Sequence, residues 1–322
     1  MQNLFSKALL VVGLAFCVGA AAQPYPNKPI KILVGFAPGG NTDVVTRILA
    51  ARMQDLLGQP VIVDNKPGAG GVVATEILVK SAPDGYTLLT SSLGPHTVSP
   101  FLLKTVTYDP VNDLAPVSNV SVNALMLLVN PSIPAKSVPE LIAYAKANPG
   151  KLNFSSSGVG STTHLSGEVL ASMAGIKLVH VAYKGGPPAL AALLAGDVQF
   201  MFSNLSDSLP QSKGGKLRAL AVTTSRRVPQ APDIPTVAES GLAGFDVAPW
   251  NGIVAPGKTP TEIVARLSDT IQRIVREKAF RDKMFEIGSD PIGDTPEQFR
   301  ATINNDIQRW GKIVKEAGIK AE

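Results

Sequence analysis

The sequence predicts an α/β protein built from two similar halves. Short apolar runs alternate with longer stretches of helical periodicity, a pattern typical of strands connected through helices. A strand followed by a glycine-rich loop and a helix occurs in both halves. Gly40 matches Gly160 at an offset of 120 residues, and Lys66 matches Lys184 at an offset of 118. Chance similarity between generic units is the alternative, but the matching loops favour two lobes that face one cleft.

The elements of the first half follow from apolar spacing and glycine stops. The helix after the first strand carries Val45, Ile48, Leu49 and Leu56 at near-helical spacing and ends at Gly58. The predicted elements are strand Ile30–Val34, helix Thr42–Leu57, strand Val61–Val63, helix Gly71–Lys80 and strand Tyr86–Thr90.

The rest of the chain continues this alternation. We predict a strand at Leu125–Val129 and helices at Val138–Ala147, Thr261–Arg276 and Pro296–Glu316. The stretch 259–262, Thr-Pro-Thr-Glu, predicts a capping box with proline at the first helical position.

The N-terminus predicts an export signal in residues 1–22. Lys7 precedes the apolar stretch Ala8–Gly19, which is too short to span a bilayer as a mature helix, and three alanines follow. We expect cleavage after Ala22 and a mature start at Gln23. Lipidation of Cys17 is the alternative, although the bulky Phe16 precedes that cysteine where a small residue is usual.

Composition excludes several classes of function. The single cysteine lies in the predicted signal, so the mature chain would have neither a disulfide nor thiol chemistry. Removing the signal removes Lys7 and lowers the net charge from +5 to +4. Basic residues are scattered, and Arg226 and Arg227 form the densest pair, so we expect no nucleic-acid partner.

Two motifs that suggest other sites are weak in context. Residues 252–259, GIVAPGKT, match the phosphate-binding P-loop pattern, but three apolar residues lie inside the motif and Pro256 removes a backbone donor. His164 and Glu168 are four residues apart on one helix face, and no third metal ligand is visible. We therefore expect no nucleotide, metal or cofactor.

A serine hydrolase that uses Ser161 is the main catalytic alternative. Ser161 lies between a strand and a helix, as a nucleophile does, and His180 could serve as its base. The local sequence is GVGSTTH, which lacks the glycine two residues after the serine. We favour a protein that is not an enzyme and keep this alternative open.

Binding without chemistry explains the two loops better. Gly39 and Gly40 let the backbone approach a ligand closely, and the start of a helix favours an anion. Hydroxyl side chains supply further donors in the second loop, at Ser155, Ser156, Ser157, Ser161, Thr162 and Thr163. Helix capping accounts for one or two hydroxyls, not for six. A carboxylate is the ligand that such donors suit.

Several segments in order show a resemblance over essentially the whole mature chain. They read PNKPIKILVGFAPGGNTD, VDNKPGAGG, PDGYTLL, YDPVNDLAPVS, HLSGE, YKGG, GKLRALAVT, PDIPTVAESG and APGKTP. Together they resemble the receptors of tripartite tricarboxylate transporters, the Bug-type periplasmic solute-binding proteins. The resemblance implies an exported receptor that captures a small carboxylate and delivers it to a membrane transporter.

The resemblance also implies a type II-like clamshell, in which each lobe is a sheet flanked by helices. We expect lobe 1 to comprise residues 23–123 and 247–322, lobe 2 to comprise residues 124–246, and the protein to be a monomer. The ligand-binding positions that it implies are Phe36, Ala37, Pro38, Gly39, Gly40, Asp43, Ser91, Ser92, Ser157, Gly160, Ser161, Thr162, His164, Tyr183, Lys184, Gly185 and Ser203. Family members often carry an aspartate where this chain has Ser203. A plain carboxylate is therefore expected rather than an amino acid.

Overall fold

The computed structural model describes residues 25–316, 318 and 319. The predicted signal and its cleavage site lie outside these residues. The described part forms eleven strands, which are arranged in two mixed sheets, and ten α-helices.

The first sheet has the strand order β11-β4-β10-β3-β1-β2. Its strands are β1 (Ile30–Val34), β2 (Val61–Asn65), β3 (Thr87–Ser92), β4 (Leu114–Asn123), β10 (Trp250–Pro256) and β11 (Ser289–Pro291). Strand β1 pairs in parallel with β2 and β3, whereas β10 runs antiparallel to its neighbours β3 and β4. We call this sheet and the helices that cover it lobe 1.

The second sheet has the strand order β7-β6-β8-β5-β9. Its strands are β5 (Leu125–Val129), β6 (Asn153–Ser156), β7 (Val179–Ala182), β8 (Phe200–Asn204) and β9 (Arg218–Val222). Here β6 pairs in parallel with β7 and β8, while β5 is antiparallel to β8 and β9. We call this sheet and the helices that cover it lobe 2.

Helices cover both sheets. The helices are α1 (Asn41–Leu57), α2 (Val72–Val79), α3 (Ser99–Leu102), α4 (Val138–Ala147), α5 (Thr162–Ala174), α6 (Gly186–Ala195), α7 (Leu205–Lys213), α8 (Thr261–Arg276), α9 (Lys278–Glu286) and α10 (Pro296–Glu316). A short 3₁₀ turn at Ala69–Gly71 precedes α2, and a π-helical turn at Gly94–Val98 precedes α3. Within residues 25–316, none of the helices has the length and apolar character that a membrane crossing requires.

The hydrophobic core has three parts. One cluster fills a face of lobe 1 beneath α1 and α8, and a second fills a face of lobe 2 beneath α6. The third runs through both lobes and includes Leu33, Phe154, Phe202, Trp250 and Phe299. Strands β5 and β10 are buried along their whole length, because both of their faces are covered.

The chain passes between the sheets at two adjacent places. Ala124 alone separates β4 from β5, and the return segment runs into β10. The Asn123 N–H donates to the Pro249 carbonyl at 2.7 Å. This backbone hydrogen bond joins the two passages, and a second one, from the Val247 N–H to the Thr223 carbonyl at 2.9 Å, ties the return segment to the end of β9.

Most predicted elements are confirmed, several with identical bounds. Strand β5 and helices α4, α8 and α10 begin and end where the sequence predicts. The P-loop pattern at 252–259 is excluded, because its first five residues lie in β10, which is paired on both sides. The predicted capping box is wrong: Thr259 Oγ1 donates back to the Pro256 carbonyl, and α8 begins at Thr261 without a side-chain cap.

Candidate functional site

Four helices from the two lobes point their N-termini at one cavity. The first-turn or capping residues of α1, α5, α6 and α7 all reach its wall. The lining residues are Phe36, Gly40, Asn41, Thr42, Ser92, Asn123, Leu125, Ser157, Thr162, Thr163, Gly186, Asn204, Asp207, Pro249, Trp250 and Asn251. The first N–H groups of a helix have no partner within it and carry a partial positive charge. In α6 only Gly186 offers such a group in the first three residues, because Pro187 and Pro188 have no N–H. The cavity therefore favours an anionic ligand.

The lobes close on each other around this cavity. Its volume is about 40 Å³, room for roughly three waters and far below the several hundred Å³ of a typical ligand pocket. The Ala37 N–H donates to the Lys184 carbonyl across the cleft at 3.2 Å. A ligand of several carbon atoms does not fit a cavity of this size, so binding one requires a wider separation of the lobes.

Glycines make this close approach possible. A Cβ atom on Gly70 would lie 2.2 Å from the Val159 carbonyl oxygen, and one on Gly94 would lie 2.6 Å from the Gly160 carbonyl oxygen. Each pair joins a turn of lobe 1 to the loop before α5 in lobe 2. Side chains at these glycines would hold the lobes apart.

The wall formed by lobe 1 is a fixed network of amides and hydroxyls. Asn251 Nδ2 donates to Asn41 Oδ1 at 2.8 Å, and Thr42 Oγ1 donates to Asn251 Oδ1 at 3.0 Å. Asn41 Nδ2 donates to Ser289 Oγ at 3.1 Å. This network ties the start of α1 to β10 and β11, so the N–H groups of α1 are held in place before a ligand arrives.

Asp43 holds the glycine loop of lobe 1 in shape. Its Oδ2 accepts from the Gly39 N–H and from Arg47 Nε, both at 2.9 Å, and its Oδ1 accepts from Asn65 Nδ2 at 2.9 Å. Burial raises the pKa of Asp43, but the hydrogen bonds from Arg47, Gly39 and Asn65 outweigh burial and lower the pKa below its usual value. The carboxylate therefore stays ionised and its oxygens are engaged in the loop.

Neutral groups hold the glycine loop of lobe 2. Ser161 caps α5, since its Oγ accepts from the His164 N–H at 3.3 Å. His164 Nδ1 accepts from the Gly160 N–H at 3.2 Å, and Thr163 Oγ1 accepts from the Ser157 N–H at 2.9 Å. The side chains of this loop thus fix its backbone, as Asp43 does in lobe 1.

The geometry does not support Ser161 as a nucleophile. His180, the proposed base, instead pairs with Ser156, whose Oγ lies 2.6 Å from His180 Nε2. His180 also stacks on His164 with ring centroids 4.0 Å apart. Burial lowers the pKa of His180 to about 4, and burial together with His180 lowers the pKa of His164 to about 3. Both imidazoles are neutral at neutral pH and pack in the interior of lobe 2.

The predicted binding residues fall into two groups. Phe36, Gly40, Ser92, Ser157 and Thr162 line the cavity. The other predicted positions lie behind the wall or at the cleft edge: Ala37, Pro38, Gly39, Asp43, Ser91, Gly160, Ser161, His164, Tyr183, Lys184, Gly185 and Ser203. Ser91 Oγ lies 3.1 Å from His96 Nδ1, within hydrogen-bond distance, and Ser203 is a buried residue of β8. A direct ligand contact at this second group stays a prediction.

Eleven lining residues are absent from the predicted binding positions: Asn41, Thr42, Asn123, Leu125, Thr163, Gly186, Asn204, Asp207, Pro249, Trp250 and Asn251. Five of them flank the two passages between the lobes, where the chain carries no glycine-loop signature. Trp250 is fixed by a hydrogen bond from its Nε1 to Asp306 Oδ2 at 2.8 Å and by edge-on packing against Phe299. For these five residues the only signal was their position beside the predicted crossovers near Asn123 and near Asp246.

Asp207 lies on the wall formed by lobe 2, beside Asn204 and Gly186. Ser206 Oγ donates to Asp207 Oδ1 at 3.0 Å, while Oδ2 is enclosed and has no hydrogen-bond partner among the described residues. Burial raises the pKa of Asp207 to about 6, against a smaller lowering effect of the Ser206 hydroxyl.

Two α/β lobes that close on a cavity between helix N-termini define a solute-binding receptor. The comparisons agree with this class. The family model described as "Tripartite tricarboxylate transporter family receptor" matches residues 45–319. Protein BugT of Bordetella pertussis is 39% identical over 321 residues, which is 98% of this chain and 98% of that protein.

Solved structures give the same result. The R. palustris protein Rpa4515, solved with adipate, is 37% identical with a TM-score of 0.89 over 92% of this chain and 99% of its own. MatC of Rhodopseudomonas palustris, solved with bound malate, is 33% identical with a TM-score of 0.86 over 90% and 100%. The chain belongs to the tripartite tricarboxylate transporter receptor family.

Proposed function

We propose that this protein is an exported periplasmic receptor that captures a small carboxylate between its lobes and delivers it to a tripartite tricarboxylate-type membrane transporter. The observation that carries the proposal is the meeting of four helix N-termini from both lobes at a cavity whose lining residues include no lysine or arginine. Helix dipoles, backbone N–H groups and hydroxyls bind a carboxylate without a basic partner. The relatives solved with adipate and malate support this ligand class.

The predicted lobe boundaries belong to this proposal. We place the changes of lobe near Asn123 and near Asp246, with residues 23–123 and 247–322 in lobe 1 and residues 124–246 in lobe 2. The backbone hydrogen bond between Asn123 and Pro249 supports a hinge there, because both passages would bend together as the lobes open.

Capture and release require no reaction, and we propose that the protein is not an enzyme. Export through the signal in residues 1–22, a monomeric state and the absence of a nucleic-acid partner complete the proposal. N-terminal sequencing of periplasmic material tests the cleavage after Ala22.

A ligand screen tests the proposal. A ligand at 100 times its dissociation constant stabilises the folded state by about 2.7 kcal/mol. We expect mono-, di- or tricarboxylates to raise the melting temperature and the corresponding neutral amides to fail. Equal shifts with acids and amides, or no shift with any carboxylate, would contradict the proposal.

A pair of variants localises the binding site. Thr162 lines the cavity, and Thr105 is an exposed threonine of lobe 1 outside it. Thr162→Val removes a donor to a charged ligand, which typically costs about 1.5–3 kcal/mol, or at least tenfold in affinity. Thr105→Val should leave the affinity measured by calorimetry unchanged.

A further inference from the structure

The cavity contains a single ionisable side chain, and it is an acid. Among the sixteen lining residues, Asp207 alone can carry a charge; the others are apolar residues, amides, hydroxyls and glycines. A ligand that offered only carboxylates would bring like charges to an ionised carboxylate with no basic side chain between them. Such an arrangement weakens binding.

Asp207 is built into the wall rather than placed on a mobile surface. It lies in the first turn of α7, where an acidic side chain is favoured by the helix dipole, and Ser206 donates to its Oδ1. A Cβ atom on Gly186 would lie 2.8 Å from Asp207 Oδ2. Glycine at position 186 therefore leaves the space that this oxygen occupies beside the start of α6.

The second oxygen of this carboxylate lacks a partner. Asp207 Oδ2 is enclosed, and no described residue hydrogen-bonds to it. Burying an unsatisfied charged oxygen is costly unless a donor reaches it. The wall thus presents an acceptor that a bound molecule can satisfy.

We propose that Asp207 is the counter-ion for a cationic nitrogen of the ligand, so that the ligand class is a carboxylate that also bears an ammonium group. The carboxylate of the ligand lies against the helix N-termini, and its ammonium group donates to Asp207 Oδ2. A neutral hydroxyl would satisfy the hydrogen bond but leave the charge of Asp207 uncompensated. With a pKa of about 6, Asp207 is largely ionised at pH 7.5. This inference rests on the proposed function.

The inference replaces the sequence-based expectation of a plain carboxylate. That expectation rested on Ser203, where the family resemblance implies an aspartate in other members. Ser203 lies within β8 behind the wall, whereas Asp207, four residues later, reaches the cavity.

Matched ligands test the inference on the mature wild-type protein. Aspartate and succinate differ by one ammonium group, as do glutamate and glutarate. Calorimetry at pH 7.5 should show at least one amino acid binding ten or more times tighter than its partner. If in both pairs the plain dicarboxylate binds as tightly as its amino counterpart or more tightly, the inference is overturned while the proposed function stands. If no carboxylate of either kind binds, both fail.

The variant Asp207→Asn assigns the preference to this residue. It keeps the side-chain shape, so we expect it to fold, and it should reduce the ammonium preference to less than threefold. Asp197→Asn alters an exposed aspartate of the same lobe and should retain the full preference. Retention of the full preference in Asp207→Asn would also overturn the inference, since the ammonium group would then be recognised elsewhere.

Discussion

The two glycine loops of the cleft have the same task but are held by different chemistry. In lobe 1 one ionised carboxylate, Asp43, fixes the loop through Gly39, Arg47 and Asn65. In lobe 2 the hydroxyls of Ser161 and Thr163 and the imidazole of His164 do so without a net charge. The comparison teaches that the glycine loop that leads into a helix N-terminus must be held rigid. Either one charged side chain or several neutral side chains can hold it.

The contact between the two lobes should be the most sensitive point. Gly94→Ala places a Cβ atom 2.6 Å from the Gly160 carbonyl oxygen and 2.9 Å from the Ser161 Cα, and these neighbours all lie in lobe 2. The variant should fold but fail to close, because apparent affinity falls with the closed population. We expect a loss of about 100-fold or more in calorimetry.

A control for this variant lies far from the cleft. Gly58 has a left-handed backbone, and a Cβ atom there would contact nothing within 4 Å. Gly58→Asn should bind normally, because asparagine tolerates this conformation. Unchanged affinity in Gly94→Ala would show that the lobes do not approach this closely in the bound state.

The side chains that hold the two glycine loops, Asp43 in lobe 1 and Ser161 in lobe 2, should differ in their contribution to the free energy of unfolding. Asp43→Asn keeps the shape of the side chain but removes its charge and replaces one accepting oxygen by an NH2 group, so at least one of the three hydrogen bonds is lost. Hydrogen bonds to charged groups typically contribute about 1.5–3 kcal/mol. Ser161→Ala removes a helix cap, which typically costs about 1 kcal/mol. Urea unfolding should therefore rank Asp43→Asn as more destabilised, at about 2 kcal/mol. The reverse order would mean that the neutral side chains of the lobe 2 loop contribute more stability than the Asp43 carboxylate does.

Acid should affect lobe 2 more than lobe 1. The pKa values of His164 and His180 are lowered by burial to about 3 and about 4, so the unfolded chain takes up protons first as pH falls below about 6.5. Each neutral imidazole thus contributes stability that is present above pH 6.5 and is lost as pH falls toward 4. Between pH 7 and 5.5 the loss is about 1 kcal/mol for each imidazole. Asp207 offsets part of this loss, because burial raises its pKa to about 6 and the folded lobe 2 takes up that proton before the unfolded chain does.

Lobe 1 contains one such imidazole, His96, whose pKa burial lowers to about 4. Burial also raises the pKa of two carboxyls of lobe 1, Asp294 and Asp306, which opposes the loss of stability in acid there. The pKa of Asp43 is lowered, so its contribution persists until the pH falls below about 3.8. Amide exchange, corrected for intrinsic rates, should show protection falling more in α5 and β6 than in α1 and β1. The variant His180→Gln should reduce the difference, and an equal loss in both lobes would contradict this account.

The sequence determined the elements because their signals are local. Apolar spacing and the glycine stop at position 58 set the bounds of α1, and the repeated strand, loop and helix predicted two lobes. The ends of α4, α8 and α10 were predictable for the same reason. The failure at Thr259 has a local cause as well: its hydroxyl is directed at the Pro256 carbonyl, to which it donates, and accepts no hydrogen bond from the N–H groups that begin α8.

The cavity was decided by tertiary structure. Phe36, Gly40 and Ser157 could be predicted, because a glycine loop before a helix marks its own N-terminus. Asn251, Trp250 and Asp207 could not, since each reaches the cavity only after distant strands pair and the lobes close. Asp207 shows the difference most clearly: in the sequence it is one acid in a short polar helix, and only the fold encloses its carboxylate beside Gly186. Local sequence determines where each helix begins. Long-range packing determines which helix N-termini meet at the cavity and which charged side chain, that of Asp207, lies beside them.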